Sequence, residues 1–307
     1  MSTRAHRVLR LGSWLVATGI VVLLARTVNL AAVTRLLRQA APEWLVAALV
    51  CNLLILLCWT QQWRALLPSS SRLSFRRMLP LIGMTSLVGN TTPASGQISA
   101  VVLLSREPGV SRSVAVSVLA LDQLVEGTTK LGFLGLAAVL VPLPTWMWPA
   151  LVALGLGVLM LVALLLLLAR QSRWLQQYVQ ALETLRQPRN FVVSLGWCGL
   201  SKSCELLALM AVQFAFGVEV SVATTIVVLA AVQLGTMVPL APANIGTYEA
   251  SAMTVYREAG LPLEMALGLA LVQHVCLLVS TAGVGYVLFV LRDMVRGGSR
   301  REVDGHR

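Results

Sequence analysis

The chain has 307 residues, 57% hydrophobic and 12% charged, with a net charge of +11. A soluble domain carries about a quarter charged residues, so this composition excludes an ordinary water-soluble globule. The basic excess consists of arginines in short segments between apolar runs, which is a membrane-topology pattern and not a nucleic-acid surface.

A membrane-spanning helix needs about 20 apolar residues. Six stretches are read as full spans: about 11–27, 44–63, 113–141, 146–169, 191–216 and 264–291. The first follows MSTRAHRVLR and resembles a signal peptide. Everything after it is also apolar, so it is expected to stay as an uncleaved first helix. Trp44 and Trp63 bracket the second stretch as interfacial aromatics do. Two further apolar stretches, 78–105 and 221–258, hold prolines, glycines and amides mid-run. Each either crosses the membrane or enters and returns on one side. After Leu291 the chain reads RDMVRGGSRREVDGHR. Residues 1–291 are therefore expected to form a single transmembrane domain and 292–307 a basic, disordered cytoplasmic tail. The five cysteines (Cys51, Cys58, Cys198, Cys204, Cys276) lie in apolar segments without metal or redox spacing and read as small core residues.

Arginine counts discriminate the topologies. With both broken stretches re-entrant and the N-terminus cytoplasmic, 18 arginines fall on the cytoplasmic side and 4 on the other. With both crossing, the split is 12 to 10. The positive-inside rule favours the hairpins, with both termini cytoplasmic. Three spans separate the hairpins, so the two enter from opposite faces, as in an inverted repeat. The residues repeat as well. Arg106-Glu107-Pro108-Gly109 follows the first hairpin and Arg257-Glu258-Ala259-Gly260 the second. Pro93-Ala94-Ser95 matches Pro242-Ala243-Asn244. The expected fold is an all-α polytopic bundle with about six spans and two opposed re-entrant hairpins.

Irregular backbone at membrane depth is tolerated where protein buries it or a polar cavity receives it. Asn90, Gln97, Asn244, Gly246 and Glu249 belong to the hairpins, and Arg106 follows the first. Asp122, Glu126 and Lys130 recur every four residues and share one helix face. Lys202 and Glu205 form a second pair, and Lys130 and Lys202 are the chain's only lysines. A charge at mid-span costs roughly 2.5–3.5 kcal/mol, so these groups are expected to face one another inside the bundle. With Glu249 included, the lysines leave two carboxylates unmatched. A proton, a cation, His274 or an arginine must offset them. That need motivates a proton-coupled role for Asp122 or Glu126. The alternative is that the pairs only hold helices together. His274 is the one histidine within a span, at the repeat position of Gln123.

No phosphate-binding loop, HExxH or G-x-S-x-G motif occurs, and no nucleophile–base pair is nominated. The chain is therefore not expected to be an enzyme or to carry a cofactor or metal.

SGQISAVVLLSREPGVS, the later LDQLVEG, and VPLAPANIGTYEASAMTVYREAGLP resemble the signature regions of the flippase-like family. That family comprises the transmembrane region of lysylphosphatidylglycerol synthase and its stand-alone relatives. The resemblance extends over about 10–291. It implies movement of a polar-headgroup lipid, an aminoacylated phospholipid or a lipid-linked sugar, between leaflets of a prokaryotic inner membrane. It also implies membrane lipids and envelope-lipid biosynthetic enzymes as partners. No aminoacyl-transfer domain follows Leu291, so synthesis of lysyl-lipid is not expected. Gly96, Arg106, Gly109, Pro239, Pro242, Gly246, Glu249 and Gly260 fit the family pattern. Gln97 and Ala100 stand where the family usually has Asp and Arg. Tyr248, and Gln273 with His274, stand where arginines are usual. Lys130, Lys202 and His274 substitute for those phosphate ligands, or the headgroup is less anionic. Two other readings stay open. One is a small-solute or ion-coupled secondary transporter. The other is a non-transporting subunit or membrane enzyme of envelope glycolipid synthesis.

Overall fold

The computed structural model describes residues 38–90, 95–171, 188–237, 241–292 and 294. The expected first span and the tail beyond residue 294 lie outside them, as do Pro93 and Pro239. The described residues form helices and no strand. In chain order they are α1 (Pro42–Leu66), α2 (Phe75–Gly89), α3 (Ser95–Leu104), α4 (Arg112–Leu140) and α5 (Met147–Gln171). Then come α6 (Pro188–Ala215), α7 (Val222–Gly235), α8 (Thr247–Glu258) and α9 (Leu263–Leu278). A π turn, Val279–Gly283, carries α9 onward to Arg292.

α1, α5, α6 and α9 with its continuation to Arg292 are long and apolar enough to cross a membrane. α4 has the length, at 29 residues, and carries Asp122, Glu126 and Lys130. The outer faces of α1 and α5 present Val46, Val50, Val152, Leu159 and Met160, each more than half exposed, as a lipid-facing surface requires. The arms of the broken stretches are shorter: 15 and 10 residues in the first, 14 and 12 in the second. None reaches the ~20 residues needed to cross. In each stretch the two arms pack on each other, α2 on α3 and α7 on α8, so both are hairpins.

α1 and α6 form the central pair and run antiparallel. The Ala41 amide donates to the Ala215 carbonyl at 2.7 Å, tying the start of α1 to the end of α6. The first hairpin leaves the end of α1 and the second leaves the end of α6, so their bases lie at opposite ends of the pair. Each unit is thus a helix, a hairpin and a second helix. The repeated loops share a turn: Gly109 has φ 82° and Gly260 φ 89°, both left-handed. Two apolar cores form. The first gathers Leu56, Trp63, Met78, Leu104 and Leu121; the second gathers Leu209, Val228, Val255, Tyr256 and Leu269. Each mixes the units: Ala48, Leu134 and Ala137 join the second, and Cys198 joins the first.

Candidate functional site

The hairpin tips meet between the two cores. Asn90, closing α2, and Asn244, in the turn before α8, line two adjoining chambers of ≈ 240 and ≈ 360 Å³. Trp59, Ser86, Glu126 and Thr236 also line both.

Local chemistry shapes each tip. Asn90 caps α2 and folds its amide back on the Ser86 carbonyl at 2.9 Å. Beside it Gly89 and Gly96 bring the two arms together; a Cβ on Gly96 would lie 3.0 Å from the Gly89 Cα. The second tip is bent more sharply. Ala243 and Asn244 take φ 52° and 54°, and Gly246 takes φ 87°. Only Gly246 adopts this region without Cβ strain, so surrounding structure holds the other two there.

The charges fall into three groups. Lys130 Nζ meets Glu126 Oε2 at 2.9 Å on α4. Lys202 Nζ meets Glu205 Oε2 at 3.3 Å on α6, and Gln233 Nε2 donates to the same oxygen at 2.8 Å. Asp122 is 3% exposed and is held by neutral donors, Gln62 Nε2 and Trp63 Nε1, each at 2.8 Å on Oδ1. Neutral donors satisfy a carboxylate's lone pairs without cancelling its charge. Asp122 therefore offers a carboxyl group held by neutral donors beside the second chamber, fit for an amine or a hydroxyl.

Asn90, Gln97, Asp122, Glu126, Lys130, Lys202, Glu205, Asn244, Tyr248 and His274 all line the chambers. Three expected site residues do not. Arg106 is exposed, outside the chambers. Gly246 is the N-cap of α8. Glu249 is expected at the second hairpin tip, facing the groove, but is buried outside the chambers. One of its oxygens accepts from the Gly246 amide at 2.6 Å, and the other meets His274 Nδ1 at 2.7 Å. Both oxygens are occupied, because a helix N-terminus and an imidazole compete with any headgroup for them.

Sequence reasoning missed Trp59, Gln62, Gln233 and Thr236. Gln62 had one signal, a polar pair just before Trp63 at the end of a span. Among the described lining residues of the two chambers there is no arginine; the basic side chains are Lys130, Lys202 and His274.

A sequence model of the lysylphosphatidylglycerol synthase transmembrane region matches residues 10–285. The chain belongs to that family. No curated protein and no solved structure matches it. The matched region takes in both hairpins and every residue lining the two chambers, so the cavity belongs wholly to the lysylphosphatidylglycerol synthase transmembrane region. As the fold requires, the family places this chain as an integral membrane protein.

Proposed function

We propose that the protein moves a polar-headgroup lipid between membrane leaflets. The observation that carries this reading is a polar, charge-lined cavity where two opposed hairpin tips meet inside an apolar bundle. The headgroup passes through the chambers while the acyl or prenyl chains stay in the bilayer. Aminoacylated phospholipids and lipid-linked sugars fit the lining: carboxylates for an amine, and amides with Trp59 and Tyr248 for hydroxyls and sugar faces. Asn90, Gln97 and Asn244 contact the headgroup from the tips. Asp122, Glu126, Lys130, Lys202, Glu205 and His274 contact it from the walls. The lipid gradient or protons supply the driving force.

The reading is of a transporter and not an enzyme. It sits in a prokaryotic inner membrane with both termini cytoplasmic, as the arginine distribution supports. Membrane lipids are its partners, with envelope-lipid biosynthetic enzymes supplying them.

The test is reconstitution into liposomes carrying a fluorophore-labelled lipid in one leaflet. The probes are labelled phosphatidylglycerol, labelled lysyl-phosphatidylglycerol and a labelled prenyl-linked sugar. Chemical quenching from outside reads the exchange. Transfer of at least one probe above empty vesicles is expected, and reduced transfer by Asp122→Asn. Absence of transfer for every probe, with the protein folded, overturns the reading.

A further inference from the structure

Glu249 on α8 and His274 on α9 are each 4% exposed and meet at 2.7 Å. A contact of that length between a carboxylate oxygen and a ring nitrogen holds one proton between them. With that proton on Nδ1, Nε2 remains the basic atom of the ring. His274 also borders the first chamber, so the imidazole is reachable from the cavity. Tyr248 stacks on the ring, with centroids 4.2 Å apart and planes inclined by 11°. Glu249 meanwhile clamps the Gly246 amide, so the same carboxylate joins the second hairpin tip to the last span.

The other charged groups facing this place are already matched. α6 presents Lys202 and Glu205, paired with each other, and α4 presents Glu126 and Lys130, also paired. α1 presents the amides of Asn52 and Gln62, and α7 that of Gln233. On α8 itself, the Tyr256 hydroxyl accepts from Gln213. The Tyr248 hydroxyl lies beside Gln273 without a well-formed hydrogen bond. Around the chambers, the carboxylates of Asp122, Glu126, Glu205 and Glu249 stand against two lysines, four minus two, leaving two negative charges. An imidazole is the side chain whose unperturbed charge change falls between about pH 5 and 8.

We infer that Glu249 and His274 form a proton-binding site that couples headgroup binding to proton release. This rests on the transport reading above. A proton from cavity water adds to His274 Nε2, and the pair goes from a net charge of minus one to zero. The uncompensated negative charge around the chambers falls from two to one. A headgroup amine and the proton then compete for that charge. By linkage, whatever the proton does to headgroup affinity the headgroup does to proton affinity.

Two measurements test this. The first follows ring nitrogen resonances of full-length protein labelled at its three histidines, across about pH 5 to 8. His274→Gln assigns the signal, and Glu249→Gln is expected to displace its titration. A His274 that keeps one charge state over the whole range overturns the inference, whatever transport shows. The second measures transfer of labelled lysyl-phosphatidylglycerol in liposomes with an imposed pH gradient. Wild type is expected to respond to the gradient, and His274→Gln and His274→Arg to lose that response. An equal response in these variants, or a response abolished only by Asp122→Asn, also overturns it. If no probe moves under any condition, the transport reading fails, and the titration alone decides whether the proton site stands.

Discussion

Gly83 of α2 and Gly285 of the last span pack backbone against backbone, and a Cβ on either residue would overlap the other. The contact joins the first hairpin to the segment just beyond the π turn of residues 279–283. Close-packed helix interfaces with small residues are how membrane bundles associate without a hydrophobic driving force. Gly83→Ala and Gly285→Ala are each expected to destabilise the protein by about 1–3 kcal/mol through overpacking. Gly135, on α4, has open space where its Cβ would be. Gly135→Ala is expected to leave stability unchanged or raise it by up to about 1 kcal/mol. Melting of the purified protein in detergent reads all three.

The repeated glutamates are held unequally. Glu107 is paired with Arg292 at the end of the last span, with side chains 3% and 11% exposed. Its counterpart Glu258 accepts, among the described residues, from the exposed Trp146 indole at 3.2 Å. A buried ion pair broken on one side leaves an uncompensated charge. Arg292→Met is therefore expected to cost about 3 kcal/mol or more, while Glu258→Gln stays within about 0.5 kcal/mol. Unfolding in graded denaturing detergent ranks the two. Equal effects would show that the latches at the two ends are equivalent.

Lys202 neutralises Glu205, and Gln233 adds a neutral donor to the same oxygen. Lys202→Met is expected to cost about 3–5 kcal/mol because Glu205 then remains charged and buried. Adding Glu205→Gln should recover much of that loss. A double-mutant cycle with a coupling of about 1 kcal/mol or more is the expected reading. Additivity within error would show that the two charges do not sense each other.

Ala243 sits at φ 52° and ψ 18° in the second hairpin tip. An alanine there bears about 1–2 kcal/mol of Cβ strain, set against the ~0.5–1 kcal/mol entropic penalty of glycine. Ala243→Gly is therefore expected to raise stability by up to about 1 kcal/mol, and a melting temperature below wild type would count against the strain. Because Ala243 lines the first chamber, the same variant should alter lipid transfer if the bent tip shapes the headgroup site.

Much of the fold was legible because its signals are local. Helix ends follow hydropathy closely: α1 was expected at 44–63 and occupies Pro42–Leu66. The Glu126–Lys130 and Lys202–Glu205 pairs follow from helical spacing alone. Gly109 and Gly260 marked the shared turn. Glu249 was misplaced for a physical reason. Its attraction to a helix N-terminus is local, but the imidazole that occupies its second oxygen comes from another helix.

Sequence alone determined a helical membrane bundle, because a bilayer requires long apolar helices and expels charge unless it is paired. Its arginine distribution also favoured two stretches turning back, by the positive-inside rule. Tertiary structure alone decided that Gln62 and Trp63 hold Asp122, that Gln233 joins Glu205, and that His274 meets Glu249. Those partners lie 25 to 60 positions apart along the chain, farther than helical periodicity reports. Each contact joins two helices of one unit, α1 to α4, α6 to α7 and α8 to α9, so it forms only once those helices pack against each other.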